Sequence, residues 1–245
     1  MKQTVLTVQT NEPIAKSVYR MTLAGDLSAI TRPGQFVNLK LDGFYLRRPI
    51  SVCDKDGDAL TLIYKVVGDG TRAMADYGQG KEIDCLVGLG NGYDTALSGD
   101  APLLVGGGVG VPPLFRLART LIAKGKRVTA ILGFNTADEV FYENEFRAIG
   151  AEVIVTTVDG SYGQKGFVTD ALGGLDYSYV YTCGPEPMLK ALYRATKVDG
   201  QYSFERRMGC GFGACMGCTC KTIAGNKRIC REGPVLTRRE ILWED

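Results

Sequence analysis

The sequence contains no histidine. That absence excludes a Ser-His-Asp or Cys-His catalytic pair, a His-ligated zinc enzyme and a Rieske centre, all of which need imidazole. Charge of one sign is also scarce. The 29 Lys and Arg nearly balance the 27 Asp and Glu, for a formal net charge of +2, and no basic run interleaves with aromatics, so no nucleic-acid partner is expected. Long apolar runs are missing too. The longest, over 101–115, is broken by Gly106, Gly107, Gly108, Gly110, Pro112 and Pro113, which leaves it too short and interrupted to span a bilayer. The opening MKQTVLTVQTNEPIAKSVYRM has neither the continuous apolar stretch nor the small-residue cleavage site of a secretory signal. A cytoplasmic protein without a membrane association is expected.

What is present is a globular composition, 45% hydrophobic and 23% charged over 245 residues, enough for one large core or two moderate ones. Up to about Gly90 the chain runs as short alternating segments between turn signals: TVLTVQT, SVYRMTL, QFVNLKL, ISVCD, ALTLIYKVV and EIDCLVG. This spacing predicts a small antiparallel β-barrel over 1–97. From Ala101 the pattern changes. Apolar runs (PLLVGGG, RVTAILGF, EVIVTTV, YVYTCG) alternate with helix-like segments at Pro113–Lys124, Val140–Ile149 and Glu186–Lys197, the βαβ signature of a parallel α/β nucleotide-binding domain over 98–200. The last stretch, 201–245, is Gly- and Cys-rich, and so short a segment cannot stabilise itself by apolar burial alone. A metal centre would supply crosslinks there. The expected fold class is therefore mixed β and α/β, with a small metal-binding C-terminal segment.

Of eight cysteines, Cys53, Cys85 and Cys183 are scattered, whereas Cys210, Cys215, Cys218, Cys220 and Cys230 fall within 21 positions. In a reducing compartment such crowding points to metal rather than disulfides. Cys210, Cys215 and Cys218 have the C-x₄-C-x₂-C spacing of a plant-type [2Fe–2S] loop, and the glycines between them permit the tight turns that aim backbone N–H groups at a cluster. Cys230 is the expected fourth ligand, with Cys220 in reserve because a strand would turn its side chain away. A structural Cys₄ zinc site is the alternative, but zinc ribbons usually carry two CxxC knuckles and only one is present.

Two further motifs suggest nucleotides. Arg48-Pro49-Ile50-Ser51 sits between two strand-like runs, with Ile63, Tyr64, Lys65 and then Gly70-Thr71 downstream. Leu103–Gly110 is a buried strand entering a Gly-rich turn (Gly106, Gly107, Gly108, Gly110), suited to bring N–H groups to a pyrophosphate. Cys183-Gly184-Pro185-Glu186-Pro187-Met188 ends another strand.

These motifs resemble those of the ferredoxin reductase superfamily. The resemblance implies that Arg48 pairs with the pyrophosphate of FAD, as its planar fork suits, and that Ser51 sits near the flavin N5. It implies that Tyr64 lies against the flavin or its ribityl chain and that Gly70-Thr71 donates to phosphate. The C-G-P-x-P-M match places Cys183 and Gly184 beside a nicotinamide without acid–base work; no catalytic residue in the acid–base sense is expected. Asp138 and Glu139, with no Lys or Arg in Phe134–Glu139, favour NAD over NADP, since carboxylates repel a 2′-phosphate.

The order flavin barrel, nucleotide domain, iron–sulfur segment, over the whole chain, closely resembles the electron-transfer subunits of type B dihydroorotate dehydrogenase. That resemblance implies FAD, a [2Fe–2S] cluster and NAD as cofactors, and an FMN-containing catalytic subunit as partner in a two-plus-two heterotetramer of pyrimidine biosynthesis. The small subunit of an NADH-dependent ferredoxin:NADP oxidoreductase, a sulfhydrogenase-type γ subunit, and a zinc-stabilised nucleotide-binding protein without redox turnover are the alternatives. Eight Lys or Arg against five Asp or Glu in 201–245 make this segment basic, with Arg206 and Arg207 as candidate docking charges.

Overall fold

The computed structural model describes residues 1–243; the last two residues of the expected C-terminal segment, Glu244 and Asp245, lie outside it. All six expected strands of the first region form: β1 (Lys2–Ala15), β2 (Val18–Ala24), β3 (Phe36–Leu39), β4 (Arg48–Asp56), β5 (Ala59–Lys65) and β6 (Glu82–Leu89). They close into an antiparallel barrel in the order β1-β2-β5-β4-β3-β6. Alternation explains its filling: Leu6, Val8, Met21, Leu23, Val37, Leu39, Leu60 and Leu62 point inward and are buried in one core. A short helix, α1 (Asp69–Ala75), bridges β5 and β6.

The second region is a sheet of β7 (Pro102–Gly107), β8 (Thr129–Phe134), β9 (Glu152–Thr157), β10 (Gln164–Lys165), β11 (Tyr179–Cys183), β12 (Gly200–Ser203) and, antiparallel to the rest, β15 (Val235–Thr237). Its helices are α2 (Pro112–Ala123), α3 (Glu143–Ala148) and α4 (Glu186–Ala195). Between β12 and β15 the chain forms the hairpin β13 (Thr219–Thr222) and β14 (Gly225–Arg228). Helix α3 starts later than the periodicity predicts because Tyr142 takes a left-handed conformation, φ 67°, which ends the preceding extended run.

The sheet order β10-β9-β8-β7-β11-β12-β15 reverses direction of growth between β7 and β11. The carboxyl ends of those two strands are where an open α/β sheet leaves a crevice for a nucleotide. Both faces are covered: Leu104 and Leu132 pack with α2 and α3, whereas Leu103, Val105 and Ile131 pack on the opposite side with Leu192 of α4. Such two-sided burial is why these strands read as continuous apolar runs.

The C-terminal segment borrows its core. Phe36 and Leu89 of the barrel and Leu189 of α4 pack with Phe204, Cys218, Ile229, Cys230, Leu236 and Ile241 in one cluster. Stability by apolar burial, which the segment could not achieve alone, comes from both neighbours. Its first strand, β12, spans the expected boundary at 200/201. Asn91 adds a polar clamp: its Nδ2 donates to Val235 O at 2.7 Å, and its Oδ1 accepts from Val235 N at 3.1 Å.

Candidate cofactor sites

On the barrel, β4 and β5 part where the motif begins. Their ladder ends at the Val52–Leu62 pair, whereas β5 runs on to Lys65 paired with β2, and residues 48–51 pair with β3. Backbone along Ile63–Lys65 is thus left with an open edge facing Arg48–Ser51, and an open ladder edge buried against a second domain calls for a partner. Arg48 bends across the start of α1. Its guanidinium stands 4.8 Å from the Phe44 ring centroid, and Nη1 donates to Leu46 O at 2.5 Å. A Cβ on Gly70 would lie 2.2 Å from Arg48 Nε, so a larger residue there would displace the arginine head from this position. Arg48 and Gly70, far apart in sequence, are brought together as a cation over bare backbone, a donor set suited to diphosphate.

Three side chains of this region have partners within the protein. Tyr64 faces the barrel interior rather than the parted edge: it is 2% exposed, its hydroxyl donates to Asn11 Oδ1 at 2.9 Å, and its ring stacks on Tyr19 at 5.8 Å. Burial pushes its phenol up to about 12. Alternation is the reason, since Ile63 and Lys65 take the outer face and Tyr64 the inner. The strand therefore offers backbone at this point, not an aromatic ring. Thr71 spends its hydroxyl on the turn before α1, accepting from Val67 N at 2.9 Å and donating to Gly68 O at 3.1 Å. Lys65 forms an ion pair with Glu139 at 2.8 Å.

That ion pair alters the reading of the acidic pair. Glu139 is held by Lys65 and also accepts from Asn135 Nδ2 at 2.8 Å, while Asp138 pairs with Lys16 at 2.9 Å. Both carboxylates thus reach lysines of the barrel, Glu139 in the less exposed pair and Asp138 in a solvent-exposed one. The hydrogen bond from Lys65 holds Glu139 below its ordinary range despite partial burial.

The glycine turn and the Cys183 turn interlock at the crevice. A Cβ on Gly110 would meet Cys183 O at 2.2 Å, one on Gly107 would meet Met188 Sδ at 2.6 Å, and one on Gly106 would meet Val111 Cα at 2.9 Å. Gly108 is different, with φ +53° and open space around it. Gly184, at φ +156°, faces Met188 Cε. Burial raises the Cys183 thiol to about 12, which keeps it neutral at physiological pH and unsuited to acid–base work. Strand β5 touches the Gly108–Gly110 turn, and Ile63 and Val111 share one apolar cluster. Beyond the ends of β8 and β9 lies a cavity of about 290 Å³ lined by Ala137, Val140, Phe141, Tyr142, Glu143 and Tyr162, among others. Sequence reading missed it; the only signal was the aromatic and acidic run FYENEF following β8.

The cysteines fall into two pairs. Cys210 N donates to Cys215 Sγ at 3.4 Å, and Ala214 N and Cys215 N donate to Cys210 Sγ at 3.2 and 3.4 Å. Burial disfavours the Cys210 thiolate, but the N–H groups of Cys215, Phe212 and Ala214 outweigh it and bring the thiol down to about 6. The second pair is buried: Cys230 N donates to Cys218 Sγ at 3.4 Å, and each residue is 2% exposed. Among the described residues no three His, Cys, Asp or Glu side chains converge as ligands of one metal ion; two thiol pairs match two irons, each with two cysteine ligands. Cys220 stands apart on β13, with Arg206 Nη2 3.8 Å from its sulfur. Arg206 itself pairs with Glu186 at 2.6 Å, while Arg207 is exposed.

Comparison with known proteins agrees with this geometry. Residues 205–242 match the model of the iron–sulfur cluster binding domain of dihydroorotate dehydrogenase B, and 104–194 that of the oxidoreductase NAD-binding domain. The dihydroorotate dehydrogenase B (NAD(+)) electron transfer subunit of Fusobacterium nucleatum is 46% identical over 98% of this chain and 99% of its own. That of Geobacillus sp. (strain WCH70) is 45% identical over 99% of each. Among solved structures, the NADH-dependent reduced ferredoxin-NADP oxidoreductase, described for flavin-based electron bifurcation, matches with TM-score 0.88 at 30% identity over 97% of this chain and 90% of the other. A ferredoxin NADP+ reductase from Neisseria gonorrhoeae with bound FAD and NADP shares the fold at TM-score 0.65 and 17% identity, over 80% of this chain.

Proposed function

The chain belongs to the electron-transfer subunits of dihydroorotate dehydrogenase B, an oxidoreductase component that uses FAD, a [2Fe–2S] cluster and NAD, and we propose which residues do this work and how the catalytic subunit is met. When bound, nicotinamide exchanges two electrons as hydride and the cluster one, and a flavin between them accepts either number. Arg48 anchors the FAD pyrophosphate against Gly70, and the backbone of Ile63–Lys65 with Pro49, Ile50 and Ser51 lines the opening in the barrel. Gly106, Gly107, Gly108 and Gly110 hold the dinucleotide phosphates, Cys183 and Gly184 border the nicotinamide, and the cavity at Ala137–Tyr142 and Tyr162 takes the adenosine half. Cys210, Cys215, Cys218 and Cys230 bind the cluster; Cys220 does not.

One observation carries this reading. Strand β5 touches the glycine turn of the nucleotide domain on one side of the barrel, while β3 is bonded to the cysteine loop on another through Asn38. This packing supports the order nucleotide, flavin, cluster. Among the described residues no helix is long and apolar enough to cross a membrane. The partner is a catalytic subunit carrying FMN, in a cytoplasmic two-plus-two heterotetramer, and the exposed cysteine loop is its docking face. Identity of 45–46% to the dihydroorotate subunits against 30% to the ferredoxin-NADP enzyme favours this partner over the bifurcating one.

The test is reconstitution with the catalytic subunit from the same cell. NADH should reduce bound FAD in the isolated chain, and orotate-linked turnover should need both chains and the cluster. A chain that binds FAD but forms no complex with that subunit would overturn the partner assignment.

A further inference from the structure

Strand β3 carries a polar residue that neither the flavin motif nor the cysteine motif includes. Asn38 lies between Val37 and Leu39, which fill the barrel core, so its own side chain leaves on the outer face. There it is 1% exposed. The ladder pairs Asn38 with Pro49 and Phe36 with Ser51, so both β3 residues share a face with Pro49 and Ser51 of the motif, whereas Arg48 and Ile50 lie opposite Leu39 and Val37. Asn38 Nδ2 donates to Cys210 O at 3.1 Å. Gly211, at φ +79°, comes so near that a Cβ would stand 2.3 Å from that nitrogen. Beside this polar contact, Phe36 packs in the apolar cluster that includes Cys218 and Cys230.

The other half of the amide is unsatisfied: Asn38 Oδ1 is buried without a hydrogen-bond partner among the described residues. A leucine would fill the space without that unfavourable burial. What the amide provides in return is the bond to Cys210.

We propose that Asn38 is a positioning residue for electron transfer, pinning the Cys210–Cys218 loop to the flavin face of the barrel and so fixing the separation of flavin and cluster. The proposal rests on the flavin and cluster assignments above. With both groups bound, the flavin would give up the two electrons of a hydride one at a time, and the cluster would take one, pass it to the partner's acceptor and only then take the second; the rate of that transfer depends on how closely the loop is held.

Two substitutions reach the contact from opposite sides. Asn38→Leu removes the donor; Gly211→Ala forces the loop away from an intact donor. In the chain loaded with FAD and iron, hydrogen exchange of the 209–218 amides should rise about tenfold in Asn38→Leu, which converts to about 1.4 kcal/mol of lost contact. Reduction of FAD by NADH should keep its rate while flavin-to-cluster transfer slows, and the paramagnetic resonance spectrum of the reduced cluster should broaden. The double mutant should be less than additive, because both changes break one contact, with only the strain of an alanine at φ +79° adding in both backgrounds. Additive effects, or unchanged exchange and transfer rates in either variant, would overturn the proposal. Loss of FAD from Asn38→Leu would assign the residue to the flavin pocket instead. Wild-type protein without iron would bring down the cluster assignment itself, a result distinct from any of these.

Discussion

Gly110→Ala isolates the close packing of the two turns at the crevice. The added Cβ would stand 2.2 Å from Cys183 O, 2.5 Å from Cys183 C and 2.6 Å from Gly184 N, all of them backbone atoms without a rotamer to escape into. Gly110 does not have a positive φ, so the whole effect is steric. Overpacking of this kind costs about 1–3 kcal/mol, and a backbone clash belongs at the upper end. For a chain of this size about 3 kcal/mol lowers Tm by roughly 6–12 °C. Gly108→Ala is the control: its φ of +53° strains an alanine by about 1–2 kcal/mol, but nothing lies within 4 Å of the new methyl. It should lower Tm by roughly 2–8 °C. Because Gly110→Ala pries the Gly106–Gly110 turn from Cys183–Gly184, it should also weaken NADH binding, by about tenfold for each 1.4 kcal/mol diverted to reopening the crevice. Scanning calorimetry of the FAD-loaded protein and stopped-flow reduction of FAD over a range of NADH concentrations measure both. Wild-type Tm and NADH affinity in Gly110→Ala, or equal damage from both alanines, would refute the reasoning.

Arg48→Ala should weaken FAD binding by about a hundredfold, two charge-assisted hydrogen bonds at about 1.5 kcal/mol each, measured as flavin released on dilution. Cys230→Ser should lose the iron while Cys220→Ser keeps it, by metal analysis of the purified variants; iron loss from Cys220→Ser alone would reverse the ligand assignment. Glu139 sits below its ordinary value of 4.5 through its bond to Lys65, so its contribution to holding the nucleotide domain on the barrel is complete above that value and is lost as pH falls through the depressed one. Protection from hydrogen exchange at the Lys65–Glu139 contact, taken relative to the intrinsic rate at each pH, should therefore stay constant from pH 7 down to about 4.5 and fall below that in wild type, but not in Glu139→Gln. Arg207→Glu should slow orotate-linked turnover with the catalytic subunit more than Arg206→Glu, since Arg206 already has Glu186 as its counter-ion.

The repeating patterns were the most legible part of the sequence. Alternation over six short runs gave the barrel, and the apolar runs between helical segments gave the parallel sheet, because each reports one-sided or two-sided burial residue by residue. The short helix α1 was missed, since Asp69–Ala75 has too few residues for a period to show. Strands β12 and β15 were missed for another reason: they are added to the sheet from a segment that looks irregular, and pairing between them is set by the fold around them. Side-chain direction was the weakest inference. Tyr64 belongs to a motif-bearing strand, but its parity places the ring inside the barrel; Asp138 and Glu139 stand at the expected turn, but each also meets a lysine from the other domain. No local rule reveals a partner that arrives from across a domain boundary. Cavity lining at Phe141, Tyr142 and Tyr162 belongs to the same class, because it exists only once β8 and β9 lie side by side.

The two cysteine pairs differ in a way that bears on direction. Cys218 and Cys230 are enclosed with Phe36 of the barrel and Leu189 of the nucleotide domain. Cys215 is exposed, on a loop whose Phe212 and Met216 are also exposed at 41% and 54%. On the ligand assignment proposed here, one end of the bound group is embedded where the three regions meet and the other reaches the surface beneath a thin glycine-containing loop. Apolar side chains at such a tip are unfavourable in water and become favourable once a partner covers them. Arg228 reinforces the loop from below, donating to Gly213 O at 2.7 Å while Glu232 Oε2 accepts from its Nε at 3.0 Å. The loop is thus held on its inner side by Asn38 and Arg228 and left apolar on its outer side. A loop held this way can meet another protein without losing its distance to the flavin, which is what a relay between two chains requires.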